Sequence, residues 1–451
     1  MKSHWFWILI LLVLIQSGCD QTEEGRTSVY AQYGTPYVQV PATGDIVMYE
    51  VNLRAFSAAG TLQGVINRLD ELQKLGINTI WLMPIHPIGT VNSVNSPYSV
   101  RDYKAVASEY GTLEDLRALT TQAHAKGMAV ILDWVANHTA WDHPWIQQHK
   151  DWYTQDANGK IIAPAGTNWA DVADLNFAQS EMRKGMIDAM EYWVMEANVD
   201  GFRCDYADGI PTDFWHEAIT ELRALRGRKL IFLAEGTRYD HYTAGFDLTY
   251  SWDFYAKLKD VYGGRIVTSL FTTHAAEYNG IPEGKHKLRF TTNHDESAWQ
   301  NTPMVYFDGK AGALAASIPT LLYGGVPLFY TGQEVGRLTK LPFFTKSPIN
   351  WSDNPDMLNA YQTLMQIRAN SEALRKGTVT TYTNGNILAF QKALNGKQVF
   401  VLVNLRNYAN AFTMPAALQN TTWINLVTQS PLTLGSTLNL SGYEYLILGN
   451  E

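Results

Sequence analysis

The chain has 451 residues, more than one ordinary core accommodates, so a large domain plus a smaller one is the expected layout. Hydrophobic residues make up 46% and charged residues 17%, which excludes a disordered chain. The net charge of -8 speaks against a nucleic-acid partner, whose phosphates call for a basic surface. The 14 Trp and 24 Tyr are partly core, and they also suit stacking on the apolar faces of sugar rings.

The chain opens with Lys2 and an apolar run from Trp5 to Ile15, too short to span a bilayer. Ser17 and Gly18 then precede Cys19, so residues 1–19 read as a signal peptide. The small-small-Cys ending resembles a bacterial lipoprotein signal, which implies acylation of Cys19 and export to the bacterial envelope on a lipid anchor. Gln16 departs from that pattern, which leaves cleavage without lipidation and an uncleaved anchor open. Surface and periplasm are both open. Residues 20–40 are polar and aperiodic and read as a tether.

From Asp45 on, short apolar runs alternate with amphipathic stretches. Strands are expected at 46–53, 79–85, 129–135, 201–205, 230–235, 246–250, 288–293 and 326–331. Most are continuously apolar, as in parallel strands covered on both faces. Helices are expected at 61–76, capped by Thr61 and Gly76, and from 112 to 127, where Thr112 and Asp115 make a capping box. Others are expected at about 179–197, 213–226, 265–279, 310–323 and 355–371. Eight strand–helix units imply a (β/α)8 TIM barrel over 41–371. The first strand lacks the Gly-rich loop of a doubly wound sheet.

Two stretches break the rhythm. Residues 139–177 form a long aperiodic excursion after strand three, a loop domain. After 371 the helical pattern stops, and Asn395-Gly396 between two apolar runs marks a hairpin. Residues 372–451 are expected to form a small antiparallel C-terminal β domain.

A barrel gathers its site at the C-terminal ends of the strands. Strand three ends in Asp133, Asn137 and His138, strand four in Arg203 and Asp205, strand five in Glu235, and strand seven in His294 and Asp295. Glycoside hydrolysis needs paired carboxylates, one facing the anomeric centre and one protonating the leaving oxygen. Asp205, two residues from Arg203, has its charge stabilised and suits the nucleophile. Glu235 follows the apolar run LIFLA, which raises its pKa and suits the acid. Each histidine is a hydroxyl ligand or a satisfied structural residue. Side-chain alternation puts Cys204 on the face opposite Arg203 and Asp205.

The segments "DWVANH", "GFRCD", "LIFLAEG" and "TTNHDE" resemble, in order, the four signature segments of the α-amylase family of glycoside hydrolases. "VMYEVNLRAFS", "SPYSVRDY" and "VADLN" are similar to its secondary segments. The resemblance implies a (β/α)8 TIM barrel with a loop domain after strand three and a C-terminal antiparallel β-sandwich. It also implies an α-glucan substrate, starch or maltooligosaccharides, cleaved at α-1,4 bonds with retention. By resemblance, Asp205 is the nucleophile, Glu235 the general acid/base and Asp295 the transition-state stabiliser. Arg203 orients Asp205, His138 and His294 bind the cleaved sugar, and Tyr98 stacks beneath it. Retention calls for Asp205 and Glu235 carboxyls about 5–5.5 Å apart.

Asn137 and Asp174 match positions that supply oxygens to Ca²⁺ in many members, so calcium is a candidate cofactor. Asp208 and Gly209 depart from the family pattern. Asp208 reads as a further ligand, a subsite residue or a loop cap. Tyr206 also departs, which leaves α-1,4 versus α-1,6 preference open. Trp141 reads as a sugar platform in a neighbouring subsite, and Trp145 as local core of the excursion. Two alternatives stand beside hydrolysis: glucanosyl transfer, and glucan binding without catalysis.

Overall fold

A computed structural model describes residues 25–450. The signal sequence and Cys19 lie outside the described residues. Eight strands close into a barrel: β1 Met48–Val51, β2 Thr79–Leu82, β3 Ala129–Trp134, β4 Gly201–Cys204, β5 Ile231–Ala234, β6 Leu248–Tyr250, β7 His286–Arg289 and β8 Val326–Tyr330. Every neighbouring pair is parallel, and β1 closes the ring on β8 with Met48 opposite Leu328. Nearly every strand residue is buried, because one face fills the barrel and the other meets the helices. All eight expected strands are present. At the start of β4, Gly201 has φ 140°, and a Cβ there would sit 1.9 Å from Ile231 O, so only glycine fits.

The helix expected at 61–76 is two short ones, Leu62–Ile66 and Leu69–Lys74. Arg68 leaves helical geometry between them, and its guanidinium lies 3.9 Å from the Trp351 ring. The capping box of Thr112 and Asp115 is present. The helix expected at 310–323 changes at Pro319, which has no N–H to donate, into a wider five-residue turn, Pro319–Tyr323. A helix not expected, Trp252–Tyr262, follows β6 and buries Phe254, Tyr255, Leu258 and Val261 on one stripe.

The excursion after β3 is tied at its base by an antiparallel pair, His138–Ala140 with Val172–Asp174. Inside it, Trp145 packs edge-on to Trp152 at 4.9 Å, the local core expected for Trp145.

The C-terminal domain carries a six-stranded antiparallel sheet and a two-stranded ribbon, Asn410–Thr413 with Thr437–Leu440. Asn395 and Gly396 both take positive φ in the expected hairpin. The second layer is thus a ribbon of two strands, thinner than a full sandwich. Ile387, Ala389, Phe400 and Leu402 face the ribbon's Phe412 and Leu440, whereas Leu388, Phe390, Val399 and Val401 join the barrel's core. Both faces of the central strands are therefore covered.

The tether expected at 20–40 is bound to the barrel from Gly25 onward. Arg26 pairs with Glu191, Tyr30 donates to Asp188 at 2.8 Å, and Tyr37 stacks on His124 at 4.3 Å. Aromatic anchors among the polar residues supply the contact area that the aperiodic pattern concealed.

Candidate active site

Arg203 sits at the centre of the barrel mouth, fully buried. Its Nη1 donates to Asp133 Oδ1 at 2.8 Å and to Asp205 Oδ1 at 2.9 Å. Its Nη2 lies 2.8 Å from Glu235 Oε1, an ion pair whose N–H direction is off the hydrogen-bond line. One guanidinium thus holds carboxylates from the ends of β3, β4 and β5 together. The register explains the convergence: Asp133 lies opposite Arg203, and Arg203 opposite Leu233, two residues before Glu235.

Burial pushes the Asp205 carboxyl up to about 6 even though Arg203 pulls it down, with Asp133 and Asp295 adding like charge. The expectation of a charge simply stabilised by Arg203 is thus corrected: loss of water outweighs the guanidinium. Burial raises Glu235 further, to about 7, as its position after an apolar run led us to expect. The second oxygen of Glu235 accepts the backbone N–H of Tyr206 at 2.7 Å. Tyr206 holds that N–H in place from a left-handed conformation, φ 44° and ψ 42°.

His294 is buried between two carboxylates. Its Nδ1 meets Glu50 Oε1, and its Nε2 lies 3.6 Å from Asp295 Oδ2. Burial lowers its pKa, but Asp295 and Glu50 outweigh that and hold it up at about 9, so it is cationic at neutral pH. The Tyr98 hydroxyl donates to Asp133 Oδ2 at 3.0 Å and lies 2.9 Å from His294 Nε2, with its ring stacked beside the imidazole. His138 lines the cleft in its neutral form, its pKa lowered by burial to about 4. Its Nε2–H donates to Tyr98 O at 3.2 Å, and its Nδ1 accepts from the Asn137 amide at 3.3 Å.

These groups open into a cleft of about 750 Å³. Asp205, Glu235, Asp295, Tyr98, His138 and His294 all line it, with Arg203 beneath. Trp169, Trp252, Trp299, Phe343 and Phe344 form apolar walls. Trp141 does not line the cleft, contrary to the sequence expectation. Its indole donates to Ala170 O at 2.9 Å, and Trp169 of the same excursion faces the cleft instead. Asp208 lines the cleft too, accepting from His241 at 2.6 Å and from Thr237 N at 3.1 Å, so it caps the loop after Glu235.

Sequence reasoning missed Glu50, Trp81 and Tyr250. Trp81 donates to Asp133 at 3.1 Å, and the Tyr250 hydroxyl accepts from Arg203 Nε at 3.3 Å. A glutamate inside the apolar run of β1 was the one available signal, since a buried charge demands a partner.

Asn137 and Asp174 come close through the hairpin that sets His138 opposite Asp174. Two side-chain donors fall short of the roughly six to eight oxygens of a calcium shell. Among the described residues no group of three His, Cys, Asp or Glu gathers in metal-binding geometry. Asn137 and Asp174 by themselves do not make such a shell, and no step below runs through a metal.

Cys204 is fully buried in the apolar core behind β4, and burial pushes its thiol well above the usual range. Small thiol reagents are therefore expected to leave the native protein active and unlabelled. Liquid-chromatography mass spectrometry after iodoacetamide checks this, and a labelled, inactivated, still folded protein would contradict it.

A closed β/α barrel whose mouth sets three carboxylates about one buried arginine is the frame of a glycoside hydrolase. The α-amylase catalytic-domain family model matches residues 34–246. The chain is 25% identical to the α-amylase MalA of Haloarcula japonica over 429 residues, covering 90% of this chain and 62% of that one. It is 26% identical to a cyclomaltodextrinase of Thermoanaerobacter pseudethanolicus over 372 residues, covering 76% of this chain and 63% of that one. An α-amylase structure from Lactobacillus plantarum superposes with a TM-score of 0.82 at 29% identity, covering 91% of this chain and all of that one. These matches support placing the chain in the α-amylase family and indicate a glycoside hydrolase.

Proposed function

We propose that the protein hydrolyses α-1,4-glucosidic bonds in starch or maltooligosaccharides with retention of configuration. The observation that carries this is the single Arg203 guanidinium holding Asp205 and Glu235 side by side, with Glu235 the weaker acid. An Asp205 oxygen attacks C1 while Glu235 gives its proton to the glycosidic oxygen, and the chain end leaves as an alcohol. Glu235, now a carboxylate, takes a proton from water. The water oxygen attacks C1 and releases Asp205, which leaves the product in its original α configuration. Asp295 faces the positive charge that develops at C1 in each transition state, and cationic His294 is placed to donate to a sugar hydroxyl.

The test is to incubate the protein with maltoheptaose, assay new reducing ends and follow the anomeric protons by NMR. Initial release of α product is expected. No new reducing ends would refute hydrolysis, initial β product would refute retention, and products longer than maltoheptaose would mark transfer.

Turnover by this route needs Asp205 ionised and Glu235 protonated. The kcat/KM profile is expected to rise through about pH 6 and fall through about pH 7. In Glu235→Gln the falling limb should vanish when an α-glycosyl fluoride, which needs no acid, is the substrate.

Export on a lipid anchor at Cys19 belongs to the same proposal and is supported by the sequence alone. Labelling cells with a palmitate analogue, with and without Cys19→Ala, tests it.

A further inference from the structure

Arg54 lies outside the catalytic centre, on the short helix Leu53–Phe56 that follows β1. It is 3% exposed and does not itself line the cleft. All five of its N–H groups are used. Nε and Nη2 donate to Glu109 at 3.1 and 2.6 Å. Nη1 donates to Asn95 O at 2.9 Å and to Phe343 O at 3.0 Å, and Nη2 also reaches Asn95 Oδ1 at 3.2 Å. Asn95 belongs to the loop after β2, and Phe343 to the loop after β8. The two loops are 248 positions apart, and no strand pairing joins them. Asn95 completes the link by donating its amide to Phe344 O at 2.5 Å.

Both loops make one wall of the cleft. Phe343 lies 5.4 Å from His294, 5.8 Å from Tyr98 and 5.7 Å from Trp299, and Phe344 lies 5.5 Å from Trp299. Trp299 is 55% exposed, with a flat face available to a sugar ring. The wall therefore runs from the groups at the reacting centre out to an open aromatic surface. The fork of an arginine suits this task, since a lysine cannot hold two carbonyls and a carboxylate in one plane.

We propose that Arg54 is a specificity-determining positioning residue: by stapling the loop after β2 to the loop after β8, it fixes the aromatic wall that binds the glucosyl units next to the cleaved one. This rests on the glucan-hydrolase reading above. A loose wall must be ordered each time a chain binds, and that cost falls on affinity rather than on the chemical step. The staple thus sets how strongly the enzyme prefers longer oligosaccharides over a single glucosyl unit.

The experiment compares maltoheptaose with α-glucosyl fluoride, which fills only the cleaved position. Arg54→Lys keeps the charge beside Glu109 and loses the fork. Asn95→Gly keeps the left-handed backbone of Asn95, φ 64°, and removes the side-chain links, should the first variant fold poorly. In both, KM for maltoheptaose is expected to rise about tenfold with kcat within twofold, while α-glucosyl fluoride turns over as in the wild type. Equal loss of kcat on both substrates, or an unchanged KM in both variants, would overturn the proposal. A second readout needs no substrate: trypsin cleavage after Lys340 or Lys346 should accelerate at least fivefold in both variants. Unchanged cleavage also overturns the staple. A wild type that cleaves no glucan but whose variants open to trypsin would overturn the functional reading and leave the staple standing.

Discussion

Asp205→Asn is expected to lower kcat on maltoheptaose by on the order of 10⁴-fold or more, about 5 kcal/mol or more of lost transition-state stabilisation. The amide has Asp205's size and can still accept from Arg203, so it keeps the packing and loses only the nucleophilic charge. Stability should hold or rise. Asp205 has a folded pKa of about 6, above its unfolded value of about 3.9. A group raised in this way contributes its full stability below the unfolded value and loses it as pH climbs through the folded one. At pH 7 the wild type therefore bears the cost of an ionised Asp205, and the variant does not. Single-turnover kinetics and a denaturant melt at pH 7 check both halves. Turnover within tenfold of wild type would place the nucleophile elsewhere.

Arg203→Leu should produce the largest loss of stability of any single substitution at the barrel mouth, about 3–5 kcal/mol at pH 7. It strips the shared cation from Asp133, Asp205 and Glu235 while leaving all three crowded together at the barrel mouth. The pH dependence identifies the cause. Asp205 and Glu235 are already raised, to about 6 and about 7, with Arg203 pulling both down. Without it both rise further, so the ionised forms cost more. The loss should be small near pH 4–5, where Asp205 and Glu235 are protonated in both proteins, and should widen as pH passes 7. Urea midpoints at pH 5 and pH 8 measure this. An equal loss at the two pH values would mean that Arg203 acts through packing alone.

Barrel strands were legible because each is an apolar run of strand length followed by polar punctuation. Asp205, Glu235 and Asp295 were legible because each stands at the end of such a run. The wall residues were not. Trp169 faces the cleft and Trp141 does not, although both are tryptophans of one aperiodic excursion, and only the Ala170 carbonyl that captures the Trp141 indole separates them. Glu50 was hidden for another reason: its meaning depends on His294, 244 positions away. Arg54 shares that difficulty, since its acceptors come from the loops after β2 and after β8, far apart in the chain. The segment after Gly25 misled because its contacts are isolated anchors, Arg26, Tyr30 and Tyr37, which have no period to detect.

The boundary near residue 371 marks a change of secondary structure, and the C-terminal sheet shows that it is no seam. Phe390 packs on Tyr323 at 5.0 Å, Arg406 donates to Val261 O and to Arg265 O, and Lys392 points its amine at the carbonyls of Leu374 and Tyr323. One face of the sheet is in effect the outer coat of the barrel. For anyone recombining glycosidase modules, the barrel and its sheet are a single heritable part. A catalytic domain cut at that boundary would carry a bare apolar flank, and a sheet grafted from a relative would have to match the helices it lands on residue by residue.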